Sequence, residues 1–119
     1  MDADRSRLEA SRLATLDRIA SLTRELGGIL DATSLVAADD EHDPEGASTA
    51  FERQQVSALL EQAAARLADL DAALARVDDG TYGACERCGT DIAPGRLEAR
   101  PSARTCIGCA SLPRHQEVR

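Results

Sequence analysis

Residues 49–80 read TAFERQQVSALLEQAAARLADLDAALARVDDG and contain the strongest secondary-structure signal in the sequence. Its apolar side chains recur at alternating steps of four and three residues, which is the heptad repeat of a coiled coil. Thr49 and Glu52 have the spacing of a capping box and predict the start of a helix, and Gly80 predicts its end. The predicted seam consists of Val56, Leu60, Ala63, Leu67, Leu70, Leu74 and Val77.

A second amphipathic helix is predicted on the N-terminal side of this seam, from about Arg5 to Ala38. Its apolar residues also recur mostly at steps of three and four. Gly27 and Gly28 interrupt the pattern, and we interpret them as a bend or a close helix contact, not as a functional hinge. The apolar positions are Leu8, Leu13, Leu16, Ile19, Leu22, Leu26, Ile29, Leu30 and Leu35.

Residues 38–50 show no periodicity and predict a tight connection between the two helices. Since neither apolar seam can remain in water, the helices are expected to fold back on each other as an antiparallel coiled-coil hairpin. With about 30 residues per helix and ~1.5 Å per residue, each arm would be about 45 Å long. The connection would then lie at the end of a rod.

Charge is distributed unevenly along the chain of 119 residues, whose net charge is −7. Residues 1–80 contain 8 Arg and 17 acidic residues, which gives −9, whereas residues 81–119 carry +2. A surface this acidic repels phosphate groups and argues against direct DNA binding. The acidic connection could enter a cavity of a partner, or it could simply be a polar loop. Five of the acids cluster there: Asp39, Asp40, Glu41, Asp43 and Glu45.

Two Cys-x-x-Cys pairs, Cys85 with Cys88 and Cys106 with Cys109, are separated by 17 residues, the spacing of a four-cysteine zinc site. The two-residue gap lets a tight turn present two thiolates to one tetrahedral ion. We predict one structural Zn²⁺; a thiol redox role is the alternative. Four sulfur ligands leave no coordination position for water, so a hydrolytic zinc is not expected. No nucleophile with a base and no phosphate-binding glycine loop is found, and the chain is not predicted to be an enzyme.

The N-terminal stretch MDADRSRLEA has no apolar region and does not resemble a secretory signal. No apolar run reaches the ~18 to 20 residues of a membrane span. We therefore expect a cytoplasmic protein, whose cysteines stay reduced and bind metal. The predicted organisation is all-α: the hairpin over 1–80 with an acidic tip near 39–47, the zinc finger over 81–110 and a C-terminal tail over 111–119.

Residues 82–110 resemble the C4-type zinc finger of the DksA/TraR family. The resemblance rests on three motifs, YGACERCG at 82–89, RLEARP at 96–101 and CIGCA at 106–110, with Ile92 between the first two. The preceding hairpin with an acidic connection is similar in order and length. The resemblance implies a transcription regulator that inserts its hairpin into the secondary channel of RNA polymerase. The acidic tip would then approach the catalytic magnesium, while the zinc finger would contact the rim of the secondary channel.

The resemblance also implies that the tip contacts the partner. Well-known family members carry Asp-x-x-Asp-x-Ala there, and counting back from Cys85 without gaps places His42, Glu45 and Ala47 at these positions. A shifted register instead offers Asp40 and Asp43, with Glu45 in place of the alanine. The candidate partner-binding residues are therefore Asp40, Asp43, Glu45 and Ala47.

Family members that act with guanosine tetraphosphate offer basic residues on the second helix near the zinc end, where this chain has Asp69 and Asp71. Arg100 remains a candidate contact, but nucleotide binding is not predicted.

Two other functions stay open beside polymerase binding. The chain could be a coiled-coil and zinc adaptor for another protein, in which case the seam would continue between two chains of a dimer. A hairpin whose two helices bury each other's apolar seam is instead expected to be a monomer. It could also be a nucleic-acid-binding finger, whose affinity would fall steeply with salt. The basic residues available for that role are Arg87, Arg96, Arg100 and Arg104.

Overall fold

The computed structural model describes residues 2–36 and 44–112. Within these ranges the chain forms two long helices, α1 (Asp2–Val36) and α2 (Pro44–Asp79), and two short ones, α3 (Pro94–Ala99) and α4 (Ile107–Ala110). The only strand-like pairing described is an isolated antiparallel bridge between Ala84 and Asp91. The predicted all-α fold class is confirmed. None of the described helices combines the length and the apolar character needed to cross a bilayer.

The chain divides into two compact units, of which one is Leu13–Leu67. In this unit Leu22 of α1 forms a buried cluster with Val56 and Ala63 of α2. Partly buried apolar side chains from both helices complete it: Ile19, Leu26, Ile29 and Leu60. The seams of the two helices therefore bury each other within one chain, as expected for a coiled-coil hairpin.

The other unit combines Met1–Arg12 with Ala68–Arg119. Its helical part is centred on Leu8 and Leu70, both with 0% exposure, which pack with Ala73 and Val77. Two ion pairs lie beside this cluster and show the helix direction. Arg5 of α1 binds Asp78 of α2 at 2.5 Å, and Arg12 binds Asp71 at 2.6 Å. From the first pair to the second, the position moves seven residues forward along α1 and seven residues back along α2. The pairing is therefore antiparallel.

The predicted seam of α2 is confirmed, because all seven of its side chains are buried or partly buried. On α1 the prediction for Leu13 is wrong, since this side chain is 67% exposed. Thr15, with only 4% exposure, takes the core position instead. Leu8, Thr15, Leu22 and Ile29 follow one another at intervals of seven residues, so the heptad spacing overrides the polarity of one side chain.

The predicted start of α2 at Thr49 is also wrong, because the helix already begins at Pro44. A proline in the first turn of a helix loses no hydrogen bond, since its missing N–H would have no partner there. The predicted end is confirmed at Asp79, followed by Gly80 with a φ of +82°. The amide groups of Thr81 and Tyr82 both donate to the carbonyl of Arg76 and close the helix.

Helix α1 runs without interruption through Gly27 and Gly28. A methyl group added at either glycine would meet no atom of the described residues within 4 Å. Among the described residues the pair therefore makes no close helix contact, and its interpretation as a bend stays a prediction.

Candidate metal centre

The first cysteine turn, Cys85–Cys88, is shaped by backbone hydrogen bonds. The amide of Cys85 donates to the carbonyl of Thr90 at 2.8 Å, and the amide of Gly89 donates back to the carbonyl of Cys85 at 2.9 Å. Gly89 has a φ of +78°, a backbone conformation that side chains with a Cβ rarely adopt. The glycine directly after the pair thus lets the chain reverse and present both sulfur atoms to the same side.

The second cysteine turn, Cys106–Cys109, surrounds the start of α4. Cys106 is the extended residue before the helix, with φ −70° and ψ 167°, and its carbonyl accepts the amide of Ala110 at 2.9 Å. Cys109 lies within the helix itself. A strand-like residue followed by one helical turn therefore brings the second pair of sulfur atoms together.

The structure brings all four cysteines into one cluster, with every sulfur atom within 4.8 Å of the others. The Sγ atoms of Cys88 and Cys106 lie 3.8 Å apart. A tetrahedral zinc ion with Zn–S distances near 2.3 Å places its sulfur ligands about 3.8 Å from one another. The four cysteines form no disulfide, and together they offer the donor set and the spacing for one Zn²⁺.

Hydrogen bonds move the thiol pKa values in opposite directions. Backbone hydrogen bonds from Cys106 and then Cys88 lower the pKa of the Cys85 thiol to about 6. The Thr90 hydroxyl, 2.9 Å from the sulfur of Cys88, lowers the pKa of that thiol too. The hydrogen bond with the Cys106 side chain, together with burial, raises the pKa of Cys109 to about 12. Cys85 is thus readily a thiolate at neutral pH, whereas Cys109 would lose its proton to the solvent only when its sulfur binds a metal ion.

The apolar core beneath the sulfur cluster is small. Cys85 itself is buried in it, together with Ile92, Leu97 and Ala103. Tyr82 packs against this cluster and also against the Leu8 and Leu70 cluster, and its hydroxyl donates to the carbonyl of Pro101 at 2.7 Å. A core of this size is too small to hold a fold by itself, so metal binding and folding are expected to be one process.

The acidic tip lies mostly outside the described residues. This applies to Asp40, Asp43 and also His42, whereas Glu45 and Ala47 belong to the first turns of α2. The structure thus places the last two on the second helix, and it does not describe their side chains.

Asp69 and Asp71 of α2 both pair with arginines. Asp69 binds Arg104 at 3.5 Å, and Asp71 binds Arg12 at 2.6 Å. A surface groove of about 480 Å³ beside the finger has no signal in the sequence, because its lining combines Asp69 of α2 with residues between 96 and 112. The groove is lined by Asp69, Arg96, Arg100, Ser102, Ala103, Arg104, Thr105, Cys109, Ala110 and Leu112.

Fold and site together define a class of protein, an antiparallel helical hairpin followed by a four-cysteine zinc finger. A family model for the prokaryotic dksA/traR C4-type zinc finger matches residues 80–112. The chain therefore carries a zinc finger of the DksA/TraR type, and the resemblance found in its sequence is confirmed.

Similar proteins extend this result. An uncharacterized protein of Aquifex aeolicus is 50% identical over 46 residues, which cover 39% of this chain and 32% of that protein. The RNA polymerase-binding transcription factors DksA of Escherichia coli and Salmonella typhimurium are each 44% identical over 48 residues, which cover 40% of this chain and 32% of theirs. The chain thus spans about a third of the length of the curated relatives it matches.

Similarity of structure covers more of the chain than similarity of sequence. Transcription factor DksA2 from Pseudomonas aeruginosa superposes with a TM-score of 0.78 and 29% sequence identity. The superposition includes 99% of this chain and 85% of that one. The hairpin and the finger therefore both have counterparts in a DksA-type transcription factor.

Proposed function

We propose that this protein is a zinc-containing regulator of transcription that acts by binding RNA polymerase. The observation that carries the proposal is the superposition on DksA2, because it includes nearly the whole chain, hairpin and finger alike. The RNA polymerase-binding relatives, matched over 40% of this chain, support the same function. Since its partner is RNA polymerase, the protein acts in the cytoplasm.

The zinc ion in this proposal is structural, and its ligands are Cys85, Cys88, Cys106 and Cys109. When bound, it fixes the two cysteine turns against each other and stabilises the small finger core. Four thiolates complete a tetrahedral shell and leave no position for a substrate or a reactive water. The protein therefore acts by binding, not by catalysis.

The acidic segment is the part that acts on the polymerase. The hairpin enters the secondary channel and brings carboxylates of Asp40, Asp43 and Glu45 towards the catalytic magnesium, with Ala47 beside them. Magnesium prefers oxygen ligands, and a carboxylate close to it can compete for or distort its coordination. The concentration of acidic residues at 39–45 supports this role, since no other seven-residue stretch of the chain contains five carboxylates.

Direct binding to nucleic acid is a weaker explanation of the slightly basic finger. Three of its four candidate arginines already have partners within the protein. Arg87 donates to the carbonyl of Cys109, Arg96 to that of Thr105, and Arg104 binds Asp69. Engaged guanidinium groups are not free for phosphates, and a flat or absent salt dependence of DNA binding is the expected result.

An adaptor function through a coiled-coil dimer is also less well supported. The seam side chains are buried by the partner helix of the same chain, in the Leu22 cluster as well as in the Leu8 cluster. We therefore propose a monomer, and light scattering of the zinc-loaded protein tests it directly.

The test of the proposed function combines polymerase binding with transcription by the cognate enzyme. The triple variant Asp40→Ala, Asp43→Ala, Glu45→Ala is expected to bind core polymerase like the unmodified chain and to lose its effect on transcription. A matched control removes three exposed acids from α1 by Asp17→Ala, Glu25→Ala and Asp31→Ala, which changes the net charge equally and is expected to keep the effect. Absence of a complex at micromolar concentration would refute polymerase binding, and equal loss in both triple variants would refute the role of the tip.

A further inference from the structure

The two cysteine turns are held in different ways. The first turn is held by a set of backbone hydrogen bonds, of which the one from the Cys85 amide is described above. In addition, the amide of Glu86 donates to the carbonyl of Arg104 at 2.9 Å, and the amide of Ile92 donates to the carbonyl of Gly83 at 2.7 Å. Within residues 105–112 the hydrogen bonds between backbone groups are local, as between the Leu112 amide and the Cys109 carbonyl at 3.1 Å, and the bond from Glu86 ends at Arg104, just before this segment. The second turn therefore depends for its position on the cysteine sulfur atoms, one of which accepts a hydrogen bond from the Cys106 backbone, and on other groups.

Those other groups are two arginine side chains. Arg87, located between Cys85 and Cys88 in the sequence, donates from Nη1 to the carbonyl of Cys109 at 2.9 Å. Arg96 of α3 donates from Nε to the carbonyl of Thr105 at 2.8 Å. Apart from contacts of the cysteine sulfur atoms, these are the hydrogen bonds that join residues 105–112 to the remainder of the described chain.

The positions of these two bonds matter because they lie on both sides of the second turn. Thr105 directly precedes Cys106, and Cys109 is the last ligand. Both hydrogen bonds are partly buried, and each has a charged donor, which makes it stronger than a bond between neutral groups. The two arginines therefore restrain the turn at its beginning and at its end.

The charge of the site gives Arg87 a second effect. One Zn²⁺ with four thiolates carries a net charge of about −2. The guanidinium of Arg87 is held at the backbone of Cys109 by its hydrogen bond, so a positive charge lies close to this anionic centre. Opposite charges attract most strongly where they are shielded from water. Arg87 is thus expected to stabilise the loaded site more than an exposed arginine does.

We propose that Arg87 and Arg96 are positioning residues of the zinc site, which hold Cys106 and Cys109 against the first cysteine turn and slow the loss of the metal. Groups that orient metal ligands commonly contribute 10- to 100-fold to metal affinity. The proposal rests on the assignment of the four cysteines as zinc ligands, but not on polymerase binding. A zinc content of one equivalent per chain, measured first, separates a failure of the ligand assignment from a failure of this proposal.

The experiment measures the rate at which the full-length, zinc-loaded protein transfers its metal to an excess of a coloured chelator. Arg87→Met and Arg96→Met remove the hydrogen-bond donor and the charge but keep an apolar stem. Each is expected to release zinc at least about tenfold faster than the unmodified chain. Arg100→Met is the matched control, because it removes the same charge from an exposed arginine that has no described contact with the cysteine turns. Its rate is expected to stay within about twofold.

A second variant and a second measurement separate positioning from a general loss of structure. Arg87→Lys keeps a positive charge and a donor, so its release rate is expected to lie closer to that of the unmodified chain than to that of Arg87→Met. Titration with Co²⁺ is expected to give the same four-thiolate spectrum in all variants, but at about tenfold higher free metal for the Arg87 and Arg96 variants. Release rates and cobalt affinities equal to those of Arg100→Met would overturn the proposal, as would an Arg87→Lys variant no better than Arg87→Met.

Discussion

On helix α1 the buried side chains Leu8, Thr15 and Leu22 follow one another at intervals of seven residues, whereas the finger buries Cys85, Ile92, Leu97, Pro101 and Ala103 without any repeat. The helices repeat the same packing arrangement along their length. The finger has no repeat, and individual backbone and arginine hydrogen bonds bring its cysteines together. The comparison separates a region stabilised by packing from one stabilised by a metal.

The largest difference between the two regions should follow removal of zinc. Chelation under reducing conditions is expected to unfold the finger and to leave the helices of the Leu13–Leu67 unit folded, because only the finger depends on the metal. Tyr82 is the single tyrosine of a chain without tryptophan, so its fluorescence reports on the finger while far-UV circular dichroism reports on the helices. Added zinc is expected to restore the tyrosine signal. Unchanged Tyr82 emission after complete chelation would contradict the comparison.

A smaller effect, on the free energy of unfolding, is expected within the helix pair, where Leu8 and Leu13 of α1 can be compared. Leu8→Ala removes a side chain with 0% exposure and is expected to lower the free energy of unfolding by about 2–5 kcal/mol. Leu13→Ala changes a side chain that is 67% exposed, and an effect within about 0.5 kcal/mol is expected. Urea denaturation of zinc-saturated protein measures both. Equal losses for the two variants would show that the described register of α1 is incorrect.

The smallest effect concerns the protons that zinc displaces from the finger. Zinc binds thiolates, so each cysteine that is protonated in the metal-free finger must lose its proton when the metal binds. More of these thiols are protonated at pH 5 than at pH 8, so zinc binding is expected to release more protons at pH 5, and zinc affinity should fall as the pH is lowered. Calorimetry in two buffers of different ionisation enthalpy gives the proton count. The same count at both pH values would contradict zinc binding through thiolates.

The same contrast explains what could be predicted from the sequence. The seam of α2 and the cysteine spacing are periodic or local patterns, and such patterns can be recognised from the sequence alone. The start of α2 does not follow from the sequence, because Pro44 is equally compatible with a loop and with the first turn of a helix. The exposure of Leu13 does not follow either, because hydrophobicity alone does not fix the register, whereas the heptad positions around Thr15 do.

The arginine contacts to the second cysteine turn had no sequence signal. Arg87 and Cys109 are 22 residues apart, and their hydrogen bond depends on the path of the chain between them. Nothing in the residue types distinguishes Arg87 from Arg100, although only the former reaches the metal site. Such pairings follow from tertiary structure and cannot be inferred from composition or spacing.

The central claim, a regulator that requires its zinc finger to bind RNA polymerase, is tested most directly by one affinity measurement. The dissociation constant for cognate core polymerase would be compared between the zinc-loaded chain and the variant Cys88→Ser, Cys106→Ser. We expect micromolar or tighter binding of the loaded chain and at least about tenfold weaker binding of the variant, because the finger cannot keep its structure without the metal. The absence of binding by the zinc-loaded chain, or equal affinities for the two proteins, would contradict the account.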